Sequence, residues 1–252
     1  MLETDTLAAF APPIEVSMNI RLTHLACAMF ILQVGPELAV AQQSEIERIA
    51  AATAVLEEIV SAPDSAISQS ILKNAEAIAI IPNTIKAGFI FGGHRGKGIV
   101  SARNDQGQWS QPAFLTLTGG SFGLQIGGQA IDLVLVVLNR QGLENLLQNE
   151  FKIGGDASAV IGPIGRDIEA TTDLYLRAKI LSYSRARGLF AGVTLKGSTI
   201  TADRDANERF YGYPFESTEL VLDEKSATPH DPGAVATWRT TLAQTVTAHN
   251  TP

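Results

Sequence analysis

The sequence predicts an α+β protein of a single domain, a mostly antiparallel twisted sheet or barrel with flanking helices. Three observations carry this. Apolar residues recur at helical spacing over 44–61 and again over 143–147. Glycine and β-favouring residues dominate from Ala87 to Thr201. The apolar runs inside that stretch are short and separated by turn signals, the pattern of strands joined by tight connections rather than of long crossovers. Such strands pair antiparallel, and a sheet of this kind buries its apolar face against helices or against itself.

The elements follow in order. Ser44 with Glu47 forms a capping box, and Ile46, Ile49, Leu56 and Ile59 place an amphipathic helix over 44–61. Pro63-Asp64 ends it and caps a second helix in which Ile67, Ile71 and Leu72 share a face. Ala77-Ile-Ala-Ile-Ile81 is an apolar run stopped by Pro82, as for a buried strand. Further strands are expected at 88–91, 98–103, 113–118, 122–127, 133–138, 157–161, 174–184 and 189–201. Asn104-Asp-Gln-Gly-Gln108 is a turn, and Trp109 opens the strand after it. Leu143, Leu146 and Leu147 mark one interrupting helix, and Trp238 with Leu242 a short one near the end. The segment from Thr218 to Gly233 is polar and contains proline.

Composition narrows the function. With 252 residues, 45% hydrophobic and 18% charged, the chain is an ordinary globular one. A net charge of -7 gives it no global basic field, so nucleic acid is not an expected partner. Arg21, the apolar stretch Leu25–Leu32 and the small residues Ala39-Val-Ala41 have the parts of a secretory signal peptide. They predict an exported protein, periplasmic or secreted, with cleavage after Ala41 and Met18 as the start. Cys27 follows Leu25-Ala26 as in a lipobox, but it precedes most of the apolar core, the wrong order for lipid attachment. The single cysteine and all three methionines precede Ala41, so the remaining chain has neither a thiol nor a Cys-based metal site. The expected organisation is a leader over 1–41, N-terminal helices over 42–74, a sheet domain over 75–212, and a polar tail with a short helix over 213–252.

No enzyme is predicted. Gly119-Gly-Ser121-Phe-Gly123 fits G-x-S-x-G, but a nucleophile elbow needs a helix after the serine, and Leu124–Gly127 is strand-like. A turn or bulge is the better reading of Ser121. Gly92-Gly-His-Arg-Gly-Lys-Gly98 has neither phosphate-loop spacing; it reads as a flexible loop presenting His94, Arg95 and Lys97. No residues have metal-ligand spacing, and no cofactor is expected. Asp132, at the head of the apolar run 133–138, needs a hydrogen-bond partner. Arg177, Lys179, Arg185 and Arg187 have odd numbers around one strand, so in an extended segment they share a face and form a basic stripe.

These pieces resemble a known family. Ile85-Lys-Ala-Gly-Phe89, Gly96–Arg103, Trp109-Ser-Gln-Pro-Ala113 and Gly119–Gly127 are similar to the first half of a SYLF domain. Gly162-Pro-Ile-Gly-Arg166, Ser182-Tyr-Ser184, Gly188-Leu-Phe-Ala-Gly192, Gly197-Ser198 and Asp205–Gly212 are similar to the rest, in order. The resemblance implies binding of phospholipid or phosphoinositide without catalysis, and actin binding in fungal relatives. For an exported member the expected partner is an anionic phospholipid or membrane surface, and actin binding is not expected. The expected function is therefore a lipid-associating protein of the cell envelope; the alternative is a structural or protein-interaction component without lipid. Candidate lipid-binding residues are Arg95, Lys97, Arg177, Lys179, Arg185 and Arg187, with Phe89, Phe91 and Phe122 for apolar insertion.

Overall fold

In the computed structural model the described residues are 44–59, 61, 67–88, 91–122, 127–148, 150–153, 159–163, 178–186, 189–191, 197–223, 225 and 227–247. They lie in one compact unit, Gln42–Pro252. Helices are α1 (44–59), α2 (Gln69–Lys73), α3 (Arg140–Leu146), α4 (Arg204–Tyr211), α5 (Ser217–Val221) and α6 (Pro232–Thr247). Strands are β1 (Ala77–Gly88), β2 (Phe91–Ala102), β3 (Ala113–Phe122), β4 (Gly127–Val137), β5 (Phe151–Lys152), β6 (Ala159–Ile161), β7 (Ile180–Ala186), β8 (Leu189–Ala191) and β9 (Ser198–Ala202). They form one curled, mostly antiparallel sheet of order β5-β9-β3-β2-β1-β4-β7-β6, with β8 on β7 and a parallel β6–β7 pair. The α+β class is the one that the alternation of helical and strand patterns predicts.

Several expectations about strands change: the run expected over 189–201 is two strands, β8 and β9, the strand expected at 88–91 falls where β1 ends and β2 begins, and β3 opens at Ala113 and not at Trp109. Pro82 does not end β1. The strand continues to Gly88 through a register shift between Ile81 and Thr84, with Asn83 at φ 48°. A bulge leaves its residues unpaired, so the missing proline N–H is not needed there, and asparagine tolerates the left-handed region. The glycine-rich segment 92–98 is not a loop but the first part of β2, paired residue by residue with β3 and, over 92–95, with β1. Ladder hydrogen bonds, which need no side chain, hold it extended.

Register fixes the two faces. Phe114, Ile99, Ile80, Val134 and Tyr183 are successive partners across five strands, all essentially inaccessible to solvent. Helices close this face. Phe210 of α4 meets the Phe114 ring edge-on at 5.3 Å, and the guanidinium of Arg48 in α1 stands 5.0 Å over it. The Trp238 indole of α6 donates to Ser101 Oγ at 2.9 Å. The short helix expected in the polar tail is 16 residues long, and its Trp238 and Leu242 complete the core. The opposite face holds Leu117, Ile200 and Phe151 in register, also buried. Gly212, at φ 71°, supplies the left-handed cap that ends α4.

Candidate functional site

The helix-covered face of the sheet continues beyond the helices. Two residues along β2 from Ile99 comes Lys97, then Arg95, and both are exposed. Arg95 is in register with Ile85 on β1 and Thr118 on β3; Thr118 continues to Thr199 on β9 and Lys152 on β5, and Ile85 to Ala130 on β4. A second row joins Lys97, Thr116 and Thr201. Partners in register share a face, so one surface carries three cations among threonines, with Ile85 59% exposed between Ala130 and Arg95. At about 4.8 Å per strand, Arg95 and Lys152 stand roughly 14 Å apart. No carboxylate belongs to either row.

Of the other predicted cations, Arg185 does not join this surface. Arg185 is buried: its Nη2 and Nε donate to Asp132 Oδ2 at 2.9 and 3.2 Å, and its Nη1 pairs with Glu58 of α1. Burial disfavours its charge, but hydrogen bonds and charge from Asp132 and Glu58 outweigh that and hold the guanidinium above its usual range. Asp132 Oδ1 accepts the Asn83 N–H at 3.0 Å, so this carboxylate also fixes the β1 bulge. Arg185 thus locks α1 and the bulge together, and the expected basic stripe is interrupted by an internal ion pair. Lys179 is half-buried in the bend before β7. Arg177, Arg187 and Phe89 lie outside the described residues, and the side chains of Phe91 and Phe122 do as well. Their backbones are nonetheless register partners at the glycine-rich ends of β2 and β3.

A second ionic cluster ties α1 to α4 and escaped the sequence reading. Arg48 Nη1 donates to Asp203 Oδ2 at 3.0 Å, and Arg209 Nη2 to Glu45 Oε1 at 2.8 Å. Asp203 also caps α4 by accepting the Ala206 N–H, and it accepts the Thr116 hydroxyl. Burial pushes the Asp203 carboxyl up, but Arg48 and these donors together hold it below the usual carboxylate range. Asp203 follows β9 directly and is a favoured N-cap residue type, the one signal that could have located it.

A serine–histidine pair exists, but not the one the motif suggests. His94 points to the opposite face from Arg95 and Lys97, and its Nδ1 lies 3.0 Å from Ser198 Oγ. Ser198 is fully buried and His94 nearly so, which seals the pair from a substrate. Gly119 permits this closeness, because a Cβ there would lie 2.6 Å from Ser198 Cα. Ser121 lies within β3, opposite Gly92, in a strand rather than a turn. Among the described residues no three His, Cys, Asp or Glu side chains assemble a metal site, and no helix is long and apolar enough to cross a membrane.

Comparison with known proteins adds the following. Residues 118–245 match the model of the Ysc84 family, described as "Las17-binding protein actin regulator". LAS seventeen-binding protein 3 of Saccharomyces cerevisiae is 36% identical over 152 residues, 59% of this chain and 33% of the relative. Human SH3 domain-containing YSC84-like protein 1 is 34% identical over 185 residues, 72% of this chain and 54% of the relative. The chain thus spans a third to about half the length of these relatives. Two expectations are overturned. The relatives are yeast and mammalian proteins named for Las17 binding and YSC84 likeness, against the reading of an exported, periplasmic or secreted protein. The words "actin regulator" go against the expectation that actin binding is absent. Met18, Cys27 and the Ala41 site lie outside the described residues.

Proposed function

Because the chain belongs to the Ysc84 (SYLF) family, we propose that it is a non-catalytic binding module in actin regulation, docking an acidic protein surface on the sheet face around Arg95 and Lys97. The observation that carries this is the row of cations and threonines left uncovered beside a helix-covered core. In a chain with 26 acidic and 19 basic residues, two rows whose strand residues include three cations and no carboxylate make a local basic patch, bordered at Thr116 by the Asp203 carboxylate that pairs with Arg48. Such a patch attracts an acidic partner and fixes its register more than it adds affinity. The relatives' names supply the partner class: Las17, or actin itself. The non-catalytic part is supported by the sealed His94–Ser198 pair and by the strand position of Ser121.

A second reading, association with anionic lipid, is favoured by Ile85, an apolar side chain exposed beside Arg95. Each cation near an anionic bilayer contributes on the order of 1 kcal/mol, so Arg95, Lys97 and Lys152 alone give weak attachment. Co-sedimentation of the full chain with actin filaments and, separately, with phosphatidylserine vesicles tests both. The expected result is salt-sensitive pelleting with filaments, lost in Arg95→Glu/Lys97→Glu. Filament binding unchanged by that reversal removes the face from the function. Pelleting with vesicles alone, lost on reversal, replaces the protein partner with lipid.

A further inference from the structure

A second surface lies against α6, away from the rows of Arg95 and Lys97. Gly107, Gln108 and Trp109, at the turn between β2 and β3, face Ala236, Arg239, Thr240, Ala243 and Thr247 of α6 across an open, mainly apolar groove of about 550 Å³. A smaller space of about 120 Å³ adjoins it, and Gln108, Trp109 and Arg239 line both. Trp109 is only 3% exposed, yet its indole N–H has no hydrogen-bond partner. Gln111, which lines the smaller space, gives its amide N–H to the Ala227 carbonyl while its buried Oε1 has none. A buried donor and a buried acceptor without partners are rare in folded proteins and need a reason. No acidic side chain lines either space, and exposed Arg239 takes part in none of the ion pairs among the described residues.

We infer that this groove binds an extended acidic peptide segment of a partner protein, with Arg239 taking a carboxylate and Trp109 and Gln111 positioned to serve the peptide main chain. An extended main chain offers a carbonyl and an N–H in alternation, the two groups that the indole N–H and the Gln111 oxygen lack. The small residues Ala236, Thr240, Ala243 and Thr247 leave α6 without bulky side chains along one flank, so a backbone can approach closely. From Ala236 to Thr247 the helix rises about 16 Å, the reach of roughly five extended residues. The groove volume lies within the ordinary range for a ligand site. Charge decides the class of peptide: a groove holding Arg239 and no carboxylate, in a chain of net charge -7, selects acidic segments against basic ones.

Fluorescence anisotropy of a fluorescein-labelled octapeptide of alternating glutamate and valine, titrated with the full chain, tests this. Alternating lysine and valine serves as the control peptide. Saturable binding below about 1 mM is expected for the glutamate peptide only. Arg239→Glu should weaken it at least tenfold, and Ala243→Trp, which fills the groove from an exposed helix position, should abolish it. Arg95→Glu/Lys97→Glu should leave the affinity within about twofold. The inference is overturned by absence of binding to the wild-type chain, by equal binding of the lysine peptide, or by an unchanged affinity in Arg239→Glu. Loss of binding in the Arg95/Lys97 variant instead would move the peptide to the sheet face. A concentration-dependent dimer, seen by light scattering and lost in Ala243→Trp, would seat a second copy of the chain in the groove and also overturn it.

Discussion

Phe114 and Thr118 lie four residues apart on β3 and on the same face, yet their surroundings have nothing in common. Phe114 is fully buried between Phe210 of α4 and the guanidinium of Arg48 of α1, whereas Thr118 is exposed between Arg95 and Thr199. The same division runs through β1, β2 and β4: Ile80, Ile99 and Val134 are buried where Ile85, Arg95 and Ala130 are exposed. On β1 the change falls at the Pro82-Asn83 bulge, which Asp132 and Arg185 hold in place. One half of the strands thus forms the core, while the other is carried as an extension held by ladder hydrogen bonds. A binding surface can evolve on the uncovered half. On the face of the extension that carries Arg95 and Thr118 a side chain can change without opening a cavity, because no described helix covers it, whereas Leu117 and Ile200 on its other face are buried.

Phe114 carries more of the closed half's stability than any residue of the extension. Phe114→Ala removes a ring from the closed half and should cost about 3–5 kcal/mol, read as a lower urea midpoint with unchanged slope. A cost under about 1 kcal/mol would mean that the closed half is not packed as described. The next effect lies at Asp203, which joins the two halves through Thr116 and ties α1 to α4. Its folded-state pKa lies below the ordinary 3.8. The linked stability is therefore fully present above the unfolded pKa and is lost as pH falls through the lower, folded one. Asp203→Asn should lower stability at neutral pH by about 1–2 kcal/mol through the weakened pair with Arg48, since asparagine caps a helix about as well as aspartate. It should also flatten the fall in Tm below about pH 4 relative to wild type. An equally steep fall in the variant would assign acid lability to other carboxylates.

The two halves were also unequally legible in the sequence. Ala77–Ile81 and Leu133–Leu138 are apolar runs, and the 3.6-residue recurrence of Ile49, Leu56 and Ile59 is visible because each residue is buried. The extension leaves no such trace. Glycines and exposed cations in 92–98 have no apolar period, so that segment reads as a loop although β3 pairs it along its whole length and β1 pairs 92–95. Pro82 reads as a stop because the bulge that tolerates it depends on Asp132, a distant residue of another strand. Arg185 reads as part of an exposed stripe for the same reason: its partners Asp132 and Glu58 are 53 and 127 positions away. Parity along a strand predicts which residues share a face, but not whether a helix lies over it. Of the proposed binding surface, Arg95 and Lys97 were readable; Lys152, Thr116, Thr118 and Thr199 were not, since only strand order brings β5 and β9 beside β3.

Charge reversal on the extension should barely change stability. Arg95→Glu/Lys97→Glu places two carboxylates on the extension, where their register neighbours are Ile85, Thr116 and Thr118. No ion pair among the described residues is broken, and neither side chain packs in the core. The cost should stay within about 0.5 kcal/mol at moderate salt, as for surface positions in general. At low salt it should grow slightly, because the reversal makes a chain of net charge -7 more negative and brings Lys97→Glu near the Asp203 carboxylate. Urea unfolding at two salt concentrations measures both parts. A variant that unfolds like wild type but no longer pellets with actin separates the extension from the core by function. A loss of 2 kcal/mol or more would show instead that Arg95 and Lys97 hold the extension in place, and the division between a closed half and a free half would fail.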